Sequence, residues 1–403
     1  MTSHPAIRPS WVVQMIAFGL TFVSISGFIR LANLYYVLLG LFALTIFLNK
    51  NGRIRFGQLW IVVFLVACLI SLVVNNPPPF FNAWKRLALY TLILLIVSPV
   101  FNSRGIGILR GQLLEGILTA SIILSVGSFF AYFLGINLFD RGDGYLDIGA
   151  GSFSGLMNHS IVLGHFSGLS TAYMFSLLLD KNGRTRLLFI ILTLLCFGAC
   201  LLSASRNGIF SCLSACFIAV ICHYRKSISK AILIVFTIVL IGIFSFPLWG
   251  GLTDFLVEKN ERNIEESGSI LFSRERKFNA RIQEFKSSPI FGIGYCTVDP
   301  SLDRVNYSNG QIEPGSSWLA IASMTGILGL IPFICICFEA IKRSLKKQRH
   351  AQSCIEITLL GYYFLHMMSE GYLLAPRSFL SLVFWLIIST SYSNLSSLST
   401  TPR

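Results

Sequence analysis

Charged side chains are scarce in this sequence. They make up 12% of its 403 residues, while hydrophobic residues make up 54% and the mean hydropathy is +0.70. A soluble domain carries roughly 25% charged residues, so too few polar side chains remain here to cover a surface that faces water. The same composition excludes a disordered chain and a coiled coil. The sequence therefore predicts an all-α polytopic membrane protein.

Acidic residues are few: 18 Asp and Glu stand against 32 Lys and Arg, which gives a net charge of +14. In a soluble protein this excess would indicate nucleic-acid binding. In a membrane protein it is typical of cytoplasmic connections, which collect Lys and Arg. We therefore expect membrane lipids around the protein and no nucleic acid as a partner.

Motifs for nucleotides, metals and disulfides are absent. The chain has no Walker A motif and no GxGxxG that opens a helix after a strand. Nine of its ten cysteines lie in apolar segments or at their ends, and the pairs Cys196/Cys200 and Cys212/Cys216 have no His or Asp neighbours. Cys296 lies in a long polar stretch that holds no second cysteine. We expect no metal site and no cofactor.

Apolar segments long enough to suggest membrane spans recur along the chain. They lie near 11–29, 31–48, 58–74, 87–101, 112–135, 160–179, 186–204, 207–223, 230–250, 317–341, 354–370 and 376–393. About twelve transmembrane helices in one integral membrane domain, 1–403, are the simplest organisation. One large loop, 251–316, interrupts them.

The distribution of the basic residues predicts which connections face the cytoplasm. One set of alternate connections, together with the termini, carries 18 of the 32 Lys and Arg but four of the 18 Asp and Glu. The positive-inside rule assigns this face to the cytoplasm, with both termini. The loop 251–316 then faces the periplasm of a bacterial inner (cytoplasmic) membrane.

Arg206 follows a short run of small residues between two apolar segments. An Arg at a membrane boundary is costly unless it snorkels to water or is paired. The alternative is an anion site, in which serine hydroxyls and the amides of the next helix support the guanidinium. Both interpretations remain open on the sequence.

A second basic cluster lies in the long loop, where 270–287 predicts an amphipathic helix. Phe278, Ile282 and Phe285 form an apolar stripe that we expect to pack over the bundle. Arg274, Lys277, Arg281 and Glu284 form the neighbouring stripe. A solvated helix on the membrane surface explains this pattern, and so do two arginines that converge on one diphosphate.

Several further residues on the same face are candidates. Lys85 and Arg86 either extend the positive patch or anchor a helix end, and His159 is either an acid/base group or a structural boundary residue. Glu313 and Glu370 are carboxylates near the membrane, and either is a possible proton acceptor. The predicted substrate-binding residues are Lys85, Arg86, Asn158, Lys277, Ser316 and Ser317.

The order of several short motifs resembles the O-antigen ligase/polymerase family of bacterial envelope proteins. The motifs are Asn158-His159 within 155–164, Ser203-Ala204-Ser205-Arg206-Asn207-Gly208, Arg274, Pro289-Ile290-Phe291-Gly292-Ile293-Gly294, Ser316-Ser317-Trp318-Leu319, and Met324-Thr325-Gly326-Ile327-Leu328-Gly329-Leu330. The resemblance covers about residues 150–335.

This resemblance implies a GT-C-like glycosyltransferase that uses an undecaprenyl-diphosphate-linked oligosaccharide as donor. It places the donor diphosphate on Arg206 and on Arg274, with Arg281 as a rival by spacing. Ligases of the family usually have His-Asn where this chain has Ser316-Ser317. That departure favours a polymerase of repeat units, with a lipid-linked acceptor and a chain-length regulator as a further expected partner.

The predicted reaction is a metal-independent, inverting glycosyl transfer to a sugar hydroxyl in O-antigen or exopolysaccharide synthesis. Arg206 with Arg274 or Arg281 would stabilise the leaving diphosphate, and Glu313 or His159 would serve as the acid/base group. A ligase that transfers finished glycan to a lipid A-core or other acceptor is the first alternative. A lipid or polysaccharide transporter is the second, although it should show repeat symmetry and broken helices.

Overall fold

The structure is a computed structural model of the whole chain. It describes residues 11–28, 31–48, 54–138, 153–227, 229–234, 236–237, 257, 261, 264, 272–303, 305–308, 310–347 and 350–393. Most of the predicted ninth segment, 230–250, lies outside these residues, as does most of the long loop before residue 272.

Besides the helical residues 229–234 and 236–237, the described residues include twelve α-helices, which we number along the chain. They are α1 (Trp11–Ile25), α2 (Ala32–Leu48), α3 (Leu59–Asn75), α4 (Ala83–Val97), α5 (Arg104–Phe133), α6 (Ser160–Leu178), α7 (Arg184–Leu202), α8 (Arg206–His223), α9 (Phe272–Ser287), α10 (Ser317–Lys346), α11 (His350–His366) and α12 (Phe379–Tyr392). A 3₁₀ turn, Pro79–Phe81, precedes α4. Two short antiparallel strands, β1 (Arg55–Phe56) and β2 (Phe101–Asn102), pair Arg55 with Asn102.

The all-α membrane class is confirmed, and helices occupy eleven of the twelve predicted segments. Six described helical stretches are long and apolar enough to cross a membrane: Pro79–Val97, Arg104–Phe133, Ser160–Leu178, Arg184–Leu202, Arg206–His223 and Ser317–Lys346. Four shorter apolar helices accompany them. Twelve crossings and a periplasmic position of the loop stay predictions.

Large apolar side chains lie both inside and outside the bundle. Trp385 of α12 is fully buried and packs against Phe64 and Phe333, with ring centroids 6.4 Å from each. Leu188 of α7 and Phe210 of α8 are more than half exposed. A soluble protein would bury such residues, whereas lipid solvates them.

Helix α10 is broken at Gly326, where φ is 62° and ψ is −163°. The turn after α9 occupies this break: the Ile327 amide donates to the Pro289 carbonyl at 2.8 Å, and the Ile293 amide donates to the Ser323 carbonyl at 2.9 Å. A Cβ on Gly326 would lie 2.2 Å from the Ile290 carbonyl oxygen, so the contact requires glycine. The motifs 289–294 and 324–330, which are separate in sequence, thus pack directly against each other.

Six connections meet at one end of the bundle, which we call the site end. It comprises residues 24–28, 75–86, 153–159, 203–206, the described residues of 272–317, and 367–378. Their contacts include the Asn158 amide with the Ile25 carbonyl (2.9 Å), Asn75 Nδ2 with the Gly292 carbonyl (2.9 Å), and Tyr295 with the Leu374 carbonyl (2.7 Å). Every predicted site residue lies at this end.

Candidate active site

Arg206 is the first residue of α8, directly after the short turn that joins α7 to α8. Ser205 caps the helix, because its Oγ accepts a hydrogen bond from the Gly208 amide at 3.3 Å. Ala204 has a φ of 50°, a left-handed conformation that costs free energy for a residue with a Cβ. The turn brings a half-buried guanidinium to a helix start, and both features favour an anion.

Helices α6 and α11 hold this turn in place. A Cβ on Gly164 of α6 would lie 2.2 Å from the Ser205 Cβ, so only glycine permits this approach. On the other side, Asn207 Nδ2 donates to the His366 carbonyl of α11 at 2.8 Å. Contacts from α6 and α11 therefore fix the turn that carries Arg206.

Helix α9 presents its charged stripe to the rest of the protein. Arg281 and Glu284 are 0% and 1% exposed, whereas Ile282 is 38% exposed. The prediction that Ile282 packs over the bundle is therefore wrong. Carboxylates at residues 303, 313 and 370 pair with the charged stripe and offset part of the free-energy cost of its burial.

Arg274 and Lys277 share the carboxylate of Glu313, and Arg274 also pairs with Glu370 from a distant part of the chain. Arg274 Nη2 lies 2.6 Å from Glu370 Oε1, and Arg274 Nη1 lies 3.7 Å from Glu313 Oε1. Lys277 Nζ lies 2.6 Å from Glu313 Oε2. These pairs fix the start of α9 on the connections before α10 and before α12.

Arg206 and Arg274 lie close enough for their charges to repel each other. Arg274 Nη1 is buried and has no hydrogen-bond partner among the described residues. Two guanidinium groups within range of each other's charge, one of them with a donor that makes no hydrogen bond among the described residues, form a site that an anion with several oxygens would stabilise. The structure thus brings together the two arginines that the motifs singled out.

Arg281 lies in a different, closed environment. Its Nη2 contacts Glu284 Oε1 at 3.0 Å and Asp303 Oδ2 at 3.1 Å, and Glu284 also accepts the Asp299 amide at 2.7 Å. Burial raises the pKa of Glu284 to about 7, although the Arg281 charge acts in the opposite direction. This network ties α9 to the 299–303 turn.

Ser316 and Ser317 are buried and bonded to the connection before α12. Ser316 caps α10 by accepting the Leu319 amide at 3.3 Å. Ser317 Oγ donates to the Glu370 carbonyl at 2.7 Å and accepts the Tyr372 amide at 3.1 Å. These bonds hold Glu370 in position to pair with Arg274.

His159 and Asn158 organise the start of α6. His159 Nδ1 accepts the Ile161 amide at 3.1 Å, so the ring serves as the helix cap. Asn158 Nδ2 donates to the Ser24 carbonyl at 3.2 Å, while its buried Oδ1 has no hydrogen-bond partner among the described residues. Asn158 also lines a cavity of about 370 Å³.

Lys85 and Arg86 line a larger cavity of about 600 Å³ at the site end. Arg86 Nη1 lies 3.8 Å from Cys296 Sγ. Pro314 and Gly371 form another part of the cavity wall, and they directly follow Glu313 and Glu370 in the chain. The cavity and the Arg274 cluster are therefore neighbours along the same two connections.

The sequence did not predict two features of the site. Glu370 was considered as a possible proton acceptor, but not as the partner of Arg274. Arg377 lines both cavities. Its position after Ala375-Pro376, between the last two apolar segments, is the signal that could have indicated it.

No group of three or more His, Cys, Asp or Glu side chains suited to a metal ion occurs among the described residues. Comparison with known protein families gives a match to the family described as O-antigen ligase over residues 191–334. The match includes the Arg206 turn, α9 and the broken first part of α10. A comparison with curated proteins gives no match.

Proposed function

We propose, from the match of residues 191–334 to the O-antigen ligase family, that the chain transfers a glycan from undecaprenyl diphosphate to a sugar hydroxyl. The observation that carries the proposal is that Arg206 and Arg274 interact through their charges at the site end, while Arg274 Nη1 makes no hydrogen bond among the described residues and lies 3.7 Å from Glu313 Oε1. We propose that these guanidinium groups bind the donor diphosphate in the cytoplasmic membrane, at its periplasmic face, with both termini cytoplasmic.

In the proposed reaction, the acceptor hydroxyl oxygen forms a bond to the anomeric carbon of the donor. The bond from that carbon to the diphosphate oxygen breaks, and the diphosphate leaves with the electron pair. Arg206 and Arg274 stabilise the charge that develops on the leaving oxygen. A single displacement inverts the anomeric configuration, and the arginines replace a metal ion in this role.

The acceptor proton goes to Glu313 in this proposal. Its side chain is 51% exposed and lies between Arg274 and Lys277, so it is both accessible and next to the diphosphate site. Glu370 is 13% exposed, is held against Arg274 and serves to position that residue. We assign His159 to capping α6 and Arg281 to holding α9, because their described contacts are structural.

Within the family, we propose that the chain is a polymerase of lipid-linked repeat units. The positions where ligases usually carry His-Asn hold Ser316 and Ser317, whose hydroxyls are buried and bonded to backbone groups. The ligase that transfers finished glycan to a lipid A-core is the second candidate, and the family description favours it. The break in α10 at Gly326 is a feature that a transporter would share, but the turn after α9 occupies it through backbone hydrogen bonds, so we place the transporter after both enzymes.

Purified protein incubated with a synthetic lipid-diphosphate repeat unit alone tests the proposal. A polymerase gives a ladder of products that differ by one repeat unit. A ligase gives no product until a lipid A-core acceptor is added. No transfer under either condition, by protein that remains folded, would contradict glycosyl transfer itself.

A further inference from the structure

Arg377 lies between two cavities at the site end. The larger one, about 600 Å³, is also lined by Lys85 and Arg86. The smaller one, about 370 Å³, is also lined by Tyr35 and Asn158. Because one side chain lines both, the two cavities are neighbours at the site end.

The larger cavity is cationic. Three basic side chains line it, and no Asp or Glu is among its described lining residues. It is also distinct from the proposed donor site: Pro314 and Gly371 line it, while the preceding residues Glu313 and Glu370 hold Arg274. A phosphate group is the ligand chemistry that converging Lys and Arg side chains favour.

The smaller cavity contains polar atoms that lack partners. Tyr35 is 3% exposed, and its hydroxyl has no hydrogen-bond partner among the described residues. The same holds for Asn158 Oδ1 and Ser24 Oγ, which belong to other lining residues. Buried polar groups of this kind are costly, and a ligand rich in hydroxyl groups would satisfy them.

The smaller cavity and the Arg206 turn contact different faces of the same helix, α6. Val162 of α6 lines it, and Gly164, two residues further on, packs against Ser205 next to Arg206. A glycan that lies in this cavity therefore runs beside the helix that carries the contact to the Arg206 turn.

We propose that the two cavities together bind the acceptor, a glycan on a phosphate-bearing lipid. Its phosphate lies between Lys85, Arg86 and Arg377, and its sugar hydroxyls bond to Tyr35 and Asn158. This assignment rests on the proposed function, which requires a second substrate beside the donor. The acceptor phosphate does not react; it holds the glycan while a terminal hydroxyl attacks the donor.

Two substrate analogues separate the acceptor site from the donor site. A repeat unit whose acceptor hydroxyl is methylated serves as donor only. A repeat unit joined to its lipid by a non-cleavable phosphonate serves as acceptor only. Wild-type protein should join them into one dimer, and the KM for each analogue is measured separately for wild type and for Lys85→Gln, Arg377→Gln and Tyr35→Phe.

Removal of a charge from the acceptor site should raise the acceptor KM about ten- to a hundredfold in Lys85→Gln and Arg377→Gln, as for a lost hydrogen bond to a charged group. The donor KM should stay within twofold of wild type. Tyr35→Phe keeps the ring and should also raise the acceptor KM alone. Lys342→Gln, which removes an exposed cation at the end of the bundle opposite the site, is the matched control.

Equal changes in the KM of both analogues, or no change in either, would overturn the proposal. Equilibrium binding of the acceptor analogue to wild type and Arg377→Gln needs no turnover. Weaker binding by the variant therefore supports the site even if no dimer forms and the proposed function fails. Equal binding by the two proteins overturns the site even if dimers form.

Two further acceptor analogues test whether the acceptor site recognises a phosphate group and which acceptor carries it. The same glycan on a neutral allyl group should bind wild type more weakly than the phosphonate, and Arg377→Gln should remove this difference. An equal affinity of wild type for both would contradict a phosphate site. A phosphorylated lipid A-core that displaces the phosphonate analogue would support the site and indicate the ligase acceptor as its source.

Discussion

Glu370 Oε1 lies 2.6 Å from Arg274 Nη2, although the two residues are 96 positions apart in the chain. Glu370 is in turn held by Ser317, whose Oγ donates to the Glu370 carbonyl. Arg274 is therefore positioned by the connection before α12 rather than by its own helix alone. The pair uses Nη2, while Arg274 Nη1 lies 3.7 Å from Glu313 Oε1 and makes no hydrogen bond among the described residues.

Glu370→Gln should weaken donor binding, because the neutral amide no longer fixes the Arg274 guanidinium by charge. We expect the KM for the donor-only analogue to rise about tenfold, the effect of losing one charge-assisted hydrogen bond. Glu313→Gln should instead lower kcat with little change in the donor KM, since Glu313 is the proposed proton acceptor. Identical kinetic changes in the two variants would contradict this division of roles.

The orientation is tested by cysteine labelling in intact cells. Ser308→Cys, at an exposed position of the site end, should react with a membrane-impermeant thiol reagent from outside. Lys346→Cys, exposed at the last residue of α10, should react only after the membrane is opened. Wild type corrects for its native cysteines, all of which are buried or half-buried. The reverse pattern would overturn the predicted topology.

Activity should survive a metal chelator, because arginines are proposed to stabilise the leaving diphosphate. The measurement is dimer formation from the donor-only and acceptor-only analogues, before and after treatment with EDTA. Recovery of lost activity by Mg²⁺ or Mn²⁺ would assign the diphosphate to a metal and contradict the role given to Arg206 and Arg274.

The membrane class and the helix positions followed from the sequence because long apolar runs have few alternatives in lipid. The Arg206 turn was also predicted correctly as a short join between two helices. The face of α9 that packs against the rest of the protein was not predicted correctly. Its orientation depends on Glu313, Glu370 and Asp303, whose proximity arises only when the connections fold together.

The cavities could not be predicted for a similar reason. Arg377 follows α11, Tyr35 belongs to α2, and Lys85 belongs to α4. Nothing in their spacing indicates that they surround a common space. The prediction of a positive patch at Lys85 and Arg86 identified part of one wall, while Arg281, favoured by its spacing from Arg274, lies in a separate network.

The Arg281 network should make stability depend on pH. The pKa of Glu284 is raised to about 7 in the folded protein, from an ordinary value of 4.5. Between these values the folded state binds a proton that the unfolded state releases, so stability should fall as pH rises through this window. Thermal unfolding midpoints of wild type and Glu284→Gln, measured from about pH 5 to about pH 8, should therefore diverge, with wild type losing more.

Glu275→Gln is the matched control for that measurement, because Glu275 lies on the same helix but is exposed. Its midpoint should follow that of wild type at every pH. Parallel curves for Glu284→Gln and wild type would show that Glu284 has the same proton affinity in both states and would contradict the raised pKa.

Arg206 gives the most direct test of the donor site. Arg206→Lys keeps the charge but loses the planar fork that binds two phosphate oxygens, and it is not a conservative change at such a site. Loss of one preorganised donor to a transition state costs about 10²–10³ in rate. We therefore expect Arg206→Ala to be inserted and inactive, and Arg206→Lys to be badly impaired in kcat.

Arg184→Lys, at the first residue of α7, is the matched control, because that arginine also begins a membrane helix but lies exposed at the opposite end. A boundary arginine that only snorkels would tolerate lysine at either position. Near-normal glycan chain length from Arg206→Lys, at matched protein level, would leave Arg206 as such a boundary residue and remove the donor site from the proposal.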